Sequence, residues 1–277
     1  MGYIKVGTEN STDVELYYED HGTGQAVVLI HGYPLDGNSW ELQARELIDA
    51  GYRVITYDRR GFGKSSKVGT GYHYDTFAAD LNTVLETLDL RDVILVGFSM
   101  GTGELARYAK NHGIDRVAKF AFLASLEPFL VKTDDNPDGV PEEQLQQIAA
   151  GIKKDRAKFF ADFFKDFFGV GYVTSPVSQE TLDWAWRLAM QAGLKPTLAC
   201  AESFGHTDFR GDLPAFRVPT LVLHGTEDKT VPIDASGRAA AAGIANAQLV
   251  EYDGAPHGLF ATESDRLTRD LLAFLGR

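Results

Sequence analysis

At 277 residues, with 44% hydrophobic and 24% charged side chains, the chain suits one large α/β domain or two small ones with a substantial core. A net charge of −12 argues against nucleic acid or an anionic membrane as partner. The single cysteine, Cys200, excludes an internal disulfide and a thiolate metal cluster, and its expected role is a buried apolar thiol.

The segment Met1 to Val6 lacks the apolar core of a signal peptide, and no uninterrupted apolar run reaches membrane-spanning length. The expected location is the cytoplasm. Val14 to Tyr18 alternates and predicts a strand leading into the turn His21-Gly22-Thr23-Gly24. Val27-Val28-Leu29-Ile30 is continuously apolar, as in a strand covered on both faces, and runs into His31-Gly32-Tyr33-Pro34. A helix is expected over Trp40 to Ala50, capped by Asn38 or Ser39 and closed by Gly51. Arg53 to Asp58 predicts the next strand, followed by the glycine-punctuated Arg59 to Ser65. A helix follows over Thr76 to Leu88, with Phe77, Leu81, Val84, Leu85 and Leu88 on one face.

Val93-Ile94-Leu95-Val96 then feeds Gly97-Phe98-Ser99-Met100-Gly101, and Thr102 to Asn111 reads as a helix. Strand, glycine-flanked serine and helix together are the context of a nucleophile elbow. A serine lifted clear of a sheet needs a strained backbone. Side chains two residues to either side would collide with the neighbouring elements, so glycine suits both places. Val117 to Leu123 is another strand, which puts His31, Asp58, Ser99 and Ala124-Ser125 at strand carboxyl ends, where open parallel sheets carry their sites.

The alternation of strand and helix stops between about Glu127 and Leu213, where turn-rich sequence and helical segments replace it. It resumes with strands at Pro219 to Gly225 and Gln248 to Tyr252, and with helices near Ala235 to Ala245 and Glu263 to Leu275. The expected organisation is therefore a core of residues 1–126 and 214–277 with residues 127–213 inserted as a helical cap. The fold class is α/β, a mostly parallel eight-stranded sheet with helices on both faces. Within the insertion, Phe159, Phe160, Phe163, Phe164, Phe167 and Phe168 form one aromatic stripe on a helix. About half of these rings are expected to line a small hydrophobic pocket and the rest to pack.

A serine hydroxyl needs a base, and the base needs a third group to fix its tautomer. Of seven histidines, His31, His224 and His257 lie at strand ends. His257 is the best base, because its loop after the last strand can reach the next strand but one. The strand between then supplies the acid, Asp228 in preference to Glu227. The order Ser99, Asp228, His257 is the one such a sheet demands. A metal site built from His31, His224, His257, Asp58 and Asp228 is the weaker reading, since none shows close metal-ligand spacing and Ser99 would go unexplained. No cofactor or metal is expected.

These residues give the chain a family likeness. It resembles the α/β-hydrolases, and within them the cofactor-free haloperoxidase/perhydrolase and arylesterase branch, which also contains γ-lactamases. The likeness is carried by His31-Gly32-Tyr33-Pro34, Asp58 to Ser66, Tyr74 to Leu81, Val96 to Gly101, Leu123 to Pro128, Thr207-Asp208-Phe209-Arg210 and Ala255 to Gly258. It runs nearly end to end and is loosest over Asp134 to Ala201. The resemblance implies Ser99 as nucleophile, His257 as base, Asp228 as orienting acid and the backbone N–H groups of Tyr33 and Met100 as the oxyanion hole. The expected pocket is Tyr33, Pro34, Leu126, Phe129, Leu130, Phe160, Phe163, Phe164, Phe167, Val231 and Phe260. Pro34 stiffens its loop, and in the family a proline there accompanies perhydrolysis, with the Tyr33 carbonyl accepting from hydrogen peroxide. The implied activity is hydrolysis of small carboxylic esters, with peracid formation from peroxide and a short carboxylic acid. Lactam opening by the same three residues is the alternative. The implied partners are small molecules and further copies of the chain, a trimer being one form.

Overall fold

The computed structural model describes residues 1–171 and 175–276. In chain order it begins with β1 (Gly2–Glu9), β2 (Thr12–Gly22), β3 (Ala26–Ile30), α1 (Glu41–Asp49), β4 (Arg53–Tyr57) and α2 (Tyr74–Thr87). It continues with β5 (Val93–Phe98), α3 (Met100–His112), β6 (Val117–Leu123), α4 (Glu142–Phe167), α5 (Gln179–Gln191) and α6 (Leu194–His206). It ends with β7 (Thr220–Gly225), α7 (Gly237–Gly243), β8 (Ala247–Tyr252), α8 (Leu259–Thr262) and α9 (Ser264–Leu275).

The strands form one eight-stranded sheet in the order β1-β2-β4-β3-β5-β6-β7-β8. From β4 to β8 every neighbour is parallel, whereas β1 and β2 pair antiparallel with each other and β2 with β4. Every residue of β3, β5 and β7 is buried, which is why these strands read as unbroken apolar runs. The β1 strand, absent from the sequence reading, is an edge element whose residues are mostly exposed or half-buried, so it lacks that signature. None of the described residues between β6 and β7 joins the sheet; α4, α5 and α6 occupy this stretch.

The long α4 is two helices in line. At Asp155 the backbone leaves the helical region (φ −160°, ψ 90°), and its carboxylate then accepts from the Lys158 N–H at 2.9 Å. This is N-cap geometry, and it restarts the helix that carries the phenylalanine stripe. Among the described residues no helix is long and apolar enough to cross a membrane.

Candidate active site

The elbow follows β5 directly. Ser99 has φ 51° and ψ −120°, a region a side-chain-bearing residue enters only under constraint. The constraint is visible in its flanks. A Cβ at Gly97 would lie 2.8 Å from the Gly101 carbonyl oxygen, and one at Gly101 would lie 2.6 Å from that of Ile30. Thr102 then stitches the turn together: its Oγ1 donates to the Ser99 carbonyl at 2.6 Å and accepts from the Leu126 N–H at 3.0 Å. Sequence reasoning missed Thr102, whose only trace there is a hydroxyl three residues after Ser99.

Ser99 Oγ lies 2.9 Å from His257 Nε2, and His257 Nδ1 lies 2.6 Å from Asp228 Oδ2. Reaching this geometry takes a longer span than the sequence reading assumed. Two strands, β6 and β7, separate β8 from β5, not one. The loop after β8 crosses them with its backbone tied down at both sides: Glu227 N–H donates to Ala255 O at 3.1 Å, and Gly258 N–H to Phe167 O at 2.7 Å. Asp228 is fixed by its own turn, Oδ1 accepting from the N–H groups of Thr230 (2.9 Å) and Val231 (2.8 Å). Burial alone would raise the Asp228 carboxyl, but the facing His257, reinforced by His224, holds it well below the usual carboxylate range.

The His257 ring is walled by Phe98 and Phe167, at centroid distances of 5.1 and 5.0 Å. These rings keep bulk water from the back of the imidazole. Among the described residues neither the Tyr33 nor the Met100 amide N–H has an acceptor in the chain. Met100 opens α3, whose dipole places partial positive charge beside Ser99.

Tyr33 belongs to a loop anchored from beneath. Arg59 N–H donates to His31 Nε2 at 2.9 Å, so His31 carries its proton on Nδ1, 2.9 Å from the Gly32 carbonyl. Arg59 also donates to the His31 carbonyl and, at 2.8 Å, to the buried Glu104 carboxylate, which accepts from Tyr57 as well. Burial, helped by the Arg59 charge, pushes the His31 imidazole well below its ordinary value. His31 is thus a scaffold residue. The oxygens of Asp58 are taken by the N–H groups of Gly37 and Lys64, and burial beside Asp36 pushes its carboxyl up to about 6. Among the described residues no three His, Cys, Asp or Glu side chains gather in a metal-binding arrangement.

A model of the α/β hydrolase fold family matches residues 25–264. The chain belongs to that family. It is 46% identical over 266 residues to a non-heme chloroperoxidase of Kitasatospora aureofaciens, covering 95% of this chain and 97% of that one. To a bifunctional esterase/perhydrolase of Acinetobacter calcoaceticus it is 36% identical over 279 residues, covering 99% of each. Among solved structures it superposes on a bromoperoxidase from Bacillus anthracis with a TM-score of 0.96 at 46% identity, covering 100% of this chain and 99% of that one.

This α/β hydrolase holds a cavity of 610 Å³ above Ser99 and His257. Of the expected pocket, Tyr33, Leu126, Leu130, Phe163 and Val231 line it, and Pro34, Phe129, Phe160, Phe164, Phe167 and Phe260 do not. The reason is the phase of the stripe. Phe160, Phe164 and Phe167 face the core and are completely buried, Phe160 against Tyr33 and Phe167 against Phe98 and Phe260. Of the six rings in the stripe, Phe159 and Phe163, one turn apart, look into the cavity, which Phe204 of α6 also lines. Pro34 is buried beneath its loop, and the Phe129 ring is covered by the Arg210 guanidinium. The far wall comes from the first half of α4 and the strand-free approach to it, including Val140, Gln144, Leu145 and Ile148. No motif marks those positions.

Proposed function

We propose that this chain is a serine esterase working through a covalent acyl-enzyme, with perhydrolase activity when hydrogen peroxide replaces water. The observation that carries the reading is the chain of hydrogen bonds from Ser99 through His257 to Asp228 beneath the cavity. Names borne by its relatives, chloroperoxidase and esterase/perhydrolase, support the same chemistry.

In this reading His257 Nε2 takes the Ser99 proton as Oγ bonds to the ester carbonyl carbon. The oxyanion that forms is held by the N–H groups of Tyr33 and Met100, each worth about 2.7–4 kcal/mol in such sites. Collapse breaks the bond to the alkoxy group, which leaves as the alcohol with the proton from His257. Water, deprotonated by His257, then attacks the acyl carbon, and Ser99 regains a proton as the acid departs. Hydrogen peroxide in place of water gives a peracid, which oxidises halide away from the site. Asp228 keeps the Nδ1–H tautomer and stabilises the imidazolium.

Residues 127–213 act as a cap that selects the acyl group, with Phe159 and Phe163 as its apolar surface. A cytoplasmic location agrees with the buried free thiol of Cys200. A homo-oligomer rests on the family likeness alone, and light scattering measures it. Lactam opening draws on the same residues and gains no separate support from the relatives named above. The test is Ser99→Ala: turnover of a short aryl ester and peroxide-dependent bromination with acetate should both vanish. Either activity surviving defeats the reading.

A further inference from the structure

His224 is the penultimate residue of β7 and is fully buried, yet the acyl-transfer steps assign it nothing. Its Nε2 lies 3.0 Å from the Val231 carbonyl oxygen. A carbonyl only accepts, so the proton is on Nε2. The same nitrogen stands 3.2 Å from Asp228 Oδ2, the oxygen that faces His257. Among the described residues Nδ1 has no hydrogen-bond partner. It is closed off by Gly237 at the start of α7, where a Cβ would stand 2.6 Å from Nδ1. The ring is thus clamped in one orientation and one tautomer.

With His224 counted, each Asp228 oxygen receives two donors: the Thr230 and Val231 amides on Oδ1, and His257 and His224 on Oδ2. We propose that His224 is a positioning residue, holding Asp228 Oδ2 in line with His257 Nδ1 and, by sharing that oxygen's charge, setting the basicity of His257. This rests on the acyl-transfer reading above. Glu251 sits opposite His224 in register on β8, and its carboxylate is drawn away by Arg238 of α7 at 2.8 and 2.6 Å. That leaves Asp228 as the anion His224 engages.

Removing the donor leaves His257 the only side chain on Oδ2. The imidazolium is then better stabilised, so the acid limb of kcat/KM against pH, which reports the base in the free enzyme, moves upward. A carboxylate no longer held from behind also aligns less well. In His224→Phe and His224→Met, which lack a donor, the acid limb should rise by about one pH unit and the plateau of kcat/KM should fall roughly tenfold. His224→Gln carries an amide N–H at similar reach and should restore both toward wild type. A ring that only fills space would leave the pH profile unmoved in every variant. Nitrogen-15 NMR of the wild-type histidines reads the tautomer without any variant or turnover. Donor-less variants with the wild-type acid limb, a Gln variant displaced as far as the Phe variant, or a His224 proton found on Nδ1 would each overturn the proposal. A wild-type chain that cannot turn over an aryl acetate defeats the acyl-transfer reading, while the NMR spectrum still decides the hydrogen bond.

Discussion

Each polar atom between Ser99 and Asp228 is left with a single role. Asp228 accepts on both oxygens, so the His257 nitrogen facing it is the donor, and the other ring nitrogen is bare toward Ser99 Oγ at 2.9 Å. Asp228→Asn keeps the shape but presents an amide N–H where an acceptor is needed, or turns its only acceptor away from the turn. It should lower kcat by about 10³–10⁴ with KM little changed, read from aryl ester kinetics. Pro34 fixes φ in the loop behind Tyr33, and replacing it by Leu frees that dihedral. The ratio of perhydrolysis to hydrolysis should fall, measured as bromination against acid release in one sample.

The second half of α4 carries core rings and cavity-lining rings along one helix. Phe160 is completely buried against Tyr33, whereas Phe163, one turn short of Phe167, reaches the cavity. Phe160→Ala should destabilise the fold by about 3–5 kcal/mol in urea unfolding, because it opens a hole in the core. Phe163→Ala should cost far less and shift the preferred ester toward bulkier acyl groups. The spacing of the stripe was legible in the sequence, but its phase was not. Periodicity fixes which rings share a face, and only the sheet beneath decides where that face points. The strands with unbroken apolar runs were legible because burial on both faces leaves no alternation. By contrast β1, exposed along much of its length, and the wall from Val140 to Ile148 carry no pattern that composition reveals.

Three sequence-distant segments converge because β5, β7 and β8 all end at one edge of the sheet. The order of Ser99, Asp228 and His257 along the chain was readable; the extra strand between them was not, since sequence order does not reveal that β6 lies inside β7. The same tight core sets the response to pH. Glu127 is fully buried just past β6, with Ser125 Oγ on one oxygen and no partner on the other among the described residues. Burial pushes its carboxyl up to about 7. A carboxyl raised on folding binds its proton more tightly in the native state, so its stabilising effect is complete below the unfolded value of about 4.3 and is lost as pH rises through 7. Glu127→Gln removes that titration, so thermal unfolding should show a flatter decline between pH 5 and 8 than wild type. An equally steep decline would assign the pH response elsewhere.

An acyl-enzyme at Ser99 is the covalent intermediate that the proposed mechanism requires. Acid-quenching the enzyme during turnover of 4-nitrophenyl acetate, followed by intact and peptide mass spectrometry, tests it most directly. One acetyl group per chain is expected, located to the peptide that contains Ser99. Steady ester turnover with no acetyl group on Ser99, or with the label on another residue, would contradict it.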